Sequence, residues 1–201
     1  MEVYQAVTKR RSIRAYKDTM VPYDVLEKCV AAARLAPTAM NRQLCEYIIV
    51  DDEALVSQVV TTVGSWGGKV SPGEESLKRR IPKAYVVILM NKLLEAKLGG
   101  SERTVRYDAG MAAENMILVA LEEGLGSCAM TSFKAEKLKI VLNIPDDYEI
   151  AMVVALGYPD ENPVLEVATG SWQRWVDSEG VRHVPKRKVE DIVYRNRFPS
   201  A

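Results

Sequence analysis

The chain has 201 residues, 48% hydrophobic and 27% charged, with 27 Lys+Arg balanced by 27 Asp+Glu; that length suits one domain burying about 70% of the surface its unfolded chain exposes. Zero net charge argues against nucleic acid or a membrane surface as partner, and no run of about 18 apolar residues is present to span a bilayer. Cys29, Cys45 and Cys128 form no C-x-x-C pair and His183 is the single histidine, which disfavours a disulfide scaffold or a metal site and fits a soluble protein of the reducing cytoplasm.

In chain order, residues 2–9 read as a short helix and Ser12–Tyr16 as an extended segment. Thr19 and Pro22 open a helix whose apolar positions Leu26, Cys29, Val30 and Ala33 keep helical spacing, and Pro37 ends it. Glu46–Val50 reads as a strand, followed by a helix from about Asp52 to Val63. Gly64, Gly67, Gly68, Pro72 and Gly73 punctuate residues 64–83, which read as an irregular segment or lid. Ala84–Met90 is almost wholly apolar and suits a central strand covered on both faces.

The longest helix is expected over 104–123, with Val105, Ala109, Ala112, Met116 and Val119 along one face and Gly124 as its stop. A short apolar segment (Leu125–Met130), an amphipathic helix over about 134–142 and a strand (Ile150–Leu156) follow. Trp172–Val176 and Val181–Val184 flank Asp177–Gly180 as a hairpin. The alternation of helices and strands, with a terminal hairpin, predicts a mixed α+β fold.

Several segments carry residues suited to chemistry. Arg10, Arg11, Ser12 and Arg14 offer forked cationic donors and a hydroxyl suited to a phosphate monoester. Alternation places Arg10, Ser12 and Arg14 on one face and Arg11 and Ile13 on the other; the same residues also fit a solvated basic strand edge. In Ala36–Gln43, Asn41 and Gln43 carry amides able to read a heterocycle edge, or to close a turn on their own backbone. Gly124–Ala129 has the letters of a dinucleotide fingerprint, but a helix precedes it where a strand is needed, so it reads as a helix stop and turn. Cys128 reads as inert core, His183 as a surface or packing residue, and Trp66, Trp172 and Trp175 as core or interface anchors. Lys186, Arg187 and Lys188 form a solvated face or complete an anion site.

Together and in this order, the motifs resemble the nitroreductase-like FMN-dependent oxidoreductase family over almost the whole chain. The matching segments are Arg10–Arg14 (R-R-S-[IV]-R), Ala36–Gln43 (S/A-P-[ST]-x-x-N-x-Q) and Asp108–Asn115 (D-x-[GA]-x-A-x-[EQ]-N). They continue with Gly124–Cys128 (G-L-G-[ST]-C), Ala155–Pro159 (A-L-G-Y-P) and Val184–Val193 (V-P-K-R-x-x-E-D-I-V). The resemblance implies a single domain over 1–201 with a mainly antiparallel sheet flanked by helices. It also implies a homodimer whose C-terminal extension, 171–201, packs on the partner subunit.

By the same resemblance, Arg10, Arg11, Ser12, Arg14, Lys186 and Arg187 hold the FMN phosphate. Pro37, Thr38, Asn41 and Gln43 contact flavin from the other subunit, and Met130, Thr131 and Ser132 put backbone groups beside its redox-active edge. No catalytic side chain and no metal is implied, because the flavin N5 carries hydride from NAD(P)H to a small conjugated acceptor such as a nitroaromatic or quinone. The chain departs from the family at Leu44-Cys45, where many members have Pro-Trp, which changes the packing beside the flavin. Residues 64–103 match no family motif and are expected to form a variable lid and substrate region, where Lys78 or Arg79 would reach the flavin's pyrimidine end. Alternatives are a flavin-binding sensor or storage protein, a specialised relative (a reductive dehalogenase of halotyrosines or a flavin-fragmenting enzyme), and a helical interaction protein without cofactor.

Overall fold

Ala84–Met90 holds only apolar side chains and a tyrosine, so it is stable only where both faces of a strand are covered. In the computed structural model, which describes residues 1–64 and 81–199, this segment forms β2 (Ala84–Asn91) and is buried throughout up to Met90. Its neighbours are β1 (Cys45–Val50) on one side and β4 (Tyr148–Gly157) on the other, with β3 (Gly126–Met130) beyond β4. All three pairings are antiparallel, in agreement with the α+β, mainly antiparallel class expected from the resemblance.

The pleat sorts the core into two layers. Ala84, Val86, Ile88 and Met90 pack with α2 (Tyr23–Arg34) and α5 (Glu102–Glu122), the latter numbered after α1 (Val3–Lys9), α3 (Glu53–Val59) and α4 (Lys92–Leu98). Tyr85, Val87 and Leu89 face the opposite layer, built on α3 and α6 (Ala135–Leu142). Pro22 precedes α2 as its cap, and Leu26, Cys29 and Ala33 form its buried stripe. A capping box between Ser101 and Thr104 starts α5. Asp52 caps α3, which ends at Val59 rather than near Val63. There the Thr62 hydroxyl donates to the Val59 carbonyl at 2.7 Å, a side-chain competitor of the kind that closes helices. The helix α4 was not read from sequence; Asn91 caps it by accepting from Leu94 N at 2.9 Å.

Residues Met1–Asp160 form one compact unit and the chain from Glu161 onwards a second. In the second, β5 (Val164–Val167) runs parallel to β7 (Arg182–Lys186), and β6 (Trp175–Val176) pairs with β7 antiparallel. The hairpin turn falls where expected: Asp177 accepts from Glu179 N and Val181 N, and Gly180 takes φ +82°. The first hairpin strand is shorter than expected, and β5 was not foreseen. Residues 65–80, with Trp66, Lys78, Arg79 and most of the irregular segment, lie outside the described residues. No described helix is long and apolar enough to cross a membrane.

His183 ties the small sheet together. Its Nδ1 lies 3.1 Å from Glu166 on β5, its Nε2 lies 3.2 Å from Asp177 in the turn, and its ring stacks on Trp175 of β6 at 3.9 Å. The hydrogen bond to Asp177, and then the one to Glu166, raise the imidazole above its ordinary value, while both carboxylates are lowered. A raised histidine contributes stability in full below its unfolded value of about 6.5 and loses it as pH rises through the folded value. Lowered carboxylates contribute above their unfolded values of about 4 and lose it as pH falls through the folded ones. The second unit is therefore expected to be firmest between about pH 4 and 6.5. Proton NMR of the single imidazole should give a midpoint above about 6.5, lowered by Asp177→Asn; a midpoint at or below that value, unmoved by the substitution, would refute the clasp.

Candidate functional site

The basic segment lies along an edge of the main sheet. β3 pairs with β4 on one side only, and its other side meets Ser12, which bridges Ser127 in parallel register. Ile13 N donates to Ser127 O at 2.8 Å, Tyr16 OH donates to Ile13 O at 2.7 Å, and Lys17 N donates to Tyr158 O at 2.8 Å. Ile13 is buried, and the alternation leaves Arg10, Ser12 and Arg14 on the half-buried opposite side. Ile13 can lie this close because residue 126 is glycine: a Cβ there would stand 2.6 Å from Ile13 Cγ1 and 2.8 Å from Ile13 Cβ and Cγ2.

The arginines of this segment are crowded with donors. Arg14 donates to Ser12 O at 3.2 Å, and Arg11 donates to Arg10 O. The Nε of Arg11 is buried and has no acceptor among the described residues. Burial, and then the neighbouring Arg10 charge, lower the Arg11 guanidinium from its ordinary value. An anion would relieve both costs and supply the missing acceptor, so this donor set fits a phosphate group. Arg10 pairs with Glu114 on α5 at 3.4 Å. Such a solvent-screened pair is worth about 0–1 kcal/mol, so Arg10 can exchange it for a stronger anion.

The second cluster is the loop after α2. Pro37 is exposed and Thr38 half-buried, while Ala39–Asn41 make a short 3-10 turn. Gln43 N donates to Thr38 Oγ1 at 3.2 Å, and Gln43 Nε2 donates to Asn41 Oδ1 at 3.3 Å, leaving both amide side chains on an exposed loop. Met40, Asn41 and Gln43 all have φ near +55° without a glycine among them. Non-glycine residues held there cost on the order of 1–3 kcal/mol each, a strain found mainly where function requires it.

Of the remaining expected residues, Met130 is half-buried at the end of β3, with Thr131 and Ser132 exposed immediately after it. Ser132 O accepts Gly64 N at 2.9 Å, which ties this segment to the chain following α3. Ser12 thus bridges the edge strand that carries Met130, which lies three residues beyond Ser127, about 10 Å along β3. Lys186 and Arg187 belong to the second unit, both exposed, and Arg187 donates to Asp191 O at 2.7 Å. Burial pushes the Cys29 and Cys45 thiols up to about 11, which keeps them protonated and unreactive at neutral pH. Leu44, at the first departure from the family motif, is fully buried in the core, and Cys45 beside it begins β1.

Sequence motifs assign no role to Asp108, Glu114 and Asn115 of α5, yet each holds a neighbouring element in place. Asp108, 4% exposed, accepts Ala39 N at 3.3 Å on both oxygens. Glu114 holds Arg10, and Asn115 Nδ2 donates to Ala32 O near the end of α2 at 3.3 Å. Asp108 had a detectable signal, since it stands within the buried stripe Val105, Ala109, Ala112, where a carboxylate is out of place. Six residues separate Asp108 from Glu114, about 9 Å along the helix and about 120° around it. Within one chain the Asn41 loop and the basic segment are thus anchored on different sides of α5.

A profile of the Nitroreductase family matches residues 7–158. The chain is 27% identical over 192 residues to an NADH dehydrogenase of Thermus thermophilus, covering 80% of this chain and 88% of that protein. It is 26% identical over 170 residues to an iodotyrosine deiodinase of Thermotoga neapolitana, covering 79% and 89%. Among solved structures, an FMN-dependent nitroreductase from Clostridium difficile superposes with a TM-score of 0.68 at 26% identity, covering 98% of this chain and 100% of that one.

The contact of Ile13 on Gly126 makes the placement of the basic segment testable. Gly126→Ala should destabilise by about 1–3 kcal/mol through overpacking, and Ile13→Ala by about 2–5 kcal/mol through a cavity. Urea melts of the double variant should show a cost well below the sum of the two, because trimming Ile13 makes room for the new methyl. Strictly additive costs would mean that the segment does not rest on β3.

Proposed function

Since the chain belongs to the nitroreductase family, and is an oxidoreductase on that ground, we propose that it binds FMN and passes hydride from NAD(P)H to a small, flat, conjugated acceptor such as a nitroaromatic or quinone. The observation that carries the reading is the Arg10–Arg14 segment, whose alternation sets Arg10, Ser12 and Arg14 on one half-buried side, while the buried Arg11 Nε beside them has no acceptor among the described residues. When bound, FMN supplies the two-electron chemistry at its N5, which the protein's own side chains cannot perform. The chain's part is to hold and orient. Arg10, Arg11 and Arg14 would neutralise the phosphate with Ser12 donating a hydrogen bond to it, and Met130, Thr131 and Ser132 would present backbone groups at and just beyond the end of β3. No histidine or carboxylate is assigned an acid–base role, in keeping with a chain whose single histidine is engaged by Glu166 and Asp177.

The functional unit in this reading is a homodimer with composite sites, in which Pro37, Thr38, Asn41 and Gln43 reach the flavin bound by the other chain. Two features support it. The loop and the basic segment are anchored on different sides of α5. Val3, Tyr4 and Val7 of α1, Met40, and Tyr107 and Met111 of α5 are exposed apolar surface in the single chain. A second reading, reductive deiodination of a halotyrosine, draws on the Thermotoga relative; turnover of iodotyrosine but not of nitroaromatics or quinones would select it.

Anaerobic addition of NADH or NADPH should bleach the visible flavin band; a band left unchanged by both would point to a sensor or storage role. Arg10→Ala with Arg14→Ala should weaken FMN binding by about 100-fold or more, since two charge-assisted bonds of about 1.5–3 kcal/mol each are lost. Riboflavin, which lacks the phosphate, should bind both proteins alike, and equal FMN affinity in the variant would sink the phosphate assignment. For the composite site, that double variant and an Asn41→Trp variant are each inactive as homodimers. Unfolded together and refolded, they should recover up to about a quarter of wild-type activity, because half the dimers are mixed and each of those has one intact site. No recovery with mixed dimers present would place both contacts in one chain.

A further inference from the structure

The geometry points to Asp108 as the positioning residue that sets the 38–43 loop in its flavin-binding shape, an inference that rests on the FMN reading above. The loop is made of residues that would not adopt this path unaided: Met40, Asn41 and Gln43 all sit in the left-handed region, and no glycine relieves them. Most of its hydrogen bonds are internal. Asn41 N donates to Thr38 O, Arg42 N to Ala39 O, Gln43 N to Thr38 Oγ1 and Gln43 Nε2 to Asn41 Oδ1. These bonds fix the shape of the turn but do not fix it to the body of the protein.

Two ties do that. One is exposed, from Arg42 Nε to Leu98 O at 3.2 Å. The other is half-buried, from Ala39 N to both oxygens of the buried Asp108 at 3.3 Å. Among the described residues Asp108 forms no ion pair. It also borders a cavity of about 110 Å³ with Thr38, Gln43 and Cys45, and its negative charge adds to burial in holding the Cys45 thiol protonated. A carboxylate buried on the apolar stripe of a helix is a poor packing choice, because an apolar side chain of similar volume fills the space without a desolvation cost. What the carboxylate contributes is an acceptor at the first residue of the turn that presents Asn41.

Three substitutions separate this role from packing. Asp108→Leu should still fold cooperatively, because dropping a buried carboxylate offsets much of the lost bond, yet bind FMN about 10-fold more weakly or worse, since the acceptor for Ala39 is gone. Asp108→Asn keeps an acceptor oxygen and should stay within about three-fold of wild type. If leucine prevents folding, Asp108→Ala removes the same acceptor and leaves a strong helix former in α5. Amide exchange at Ala39, measured by NMR without flavin, should be slow in wild type and Asp108→Asn and fast in Asp108→Leu or Asp108→Ala. Wild-type FMN affinity in the variants lacking the acceptor, an asparagine variant as impaired as they are, or unchanged Ala39 exchange would each overturn the assignment. If wild type itself takes up no FMN, the functional reading fails, while the exchange measurement still decides whether Asp108 holds the loop.

Discussion

The rest of the main unit depends on how β2 is buried. From Ala84 to Met90 both faces of the strand are removed from water, so its backbone polar groups must be satisfied by neighbouring strands and each face needs its own helical cover. β1 and β4 take the backbone, α2 and α5 cover one face, and α3 and α6 the other. That arrangement leaves β3 at the outer edge of the sheet, with one side open. Ser12 and Ile13 meet that side, and the basic residues are thereby carried beside the edge strand that ends at Met130 and leads into Thr131 and Ser132.

The helix α5 joins this core to the candidate site. Its buried face is built largely from alanine, with Ala109, Ala112, Ala113 and Ala120 among its covered residues. Small side chains let it lie close to α2 and the sheet, and close packing fixes where its polar residues emerge. Asp108, Glu114 and Asn115 then take hold of Ala39, Arg10 and Ala32. A rigid helix makes those three attachment points mutually fixed, which loops alone would not achieve.

The chemistry such a site supports is one of positioning. Burial keeps the Cys29 and Cys45 thiols protonated at neutral pH, and burial together with the Arg10 charge lowers the Arg11 guanidinium from its ordinary value. Strain is concentrated in the Asn41 loop, and an unmet donor in the basic segment. Both features make sense for a protein that lends geometry and charge to a cofactor rather than reacting itself.

Elements whose signal is local are legible in the amino-acid sequence. Seven consecutive nonpolar or aromatic residues mark β2, helical spacing of Leu26, Cys29 and Ala33 marks α2, and Asp177 with Gly180 marks the terminal turn. The ordered motifs carried the family and with it the candidate residues. Two elements escaped because their signals are weak in isolation. α4 is seven residues long and has no fully buried side chain, and β5 gains its strand form from a parallel partner far along the chain. It takes the folded chain to show that Ile13 rests on Gly126, that Asp108 accepts from Ala39 and that Arg11 Nε lacks an acceptor among the described residues. Each of these joins, or fails to join, residues that sequence spacing cannot relate, because burial and hydrogen bonding depend on which surfaces meet when the layers close.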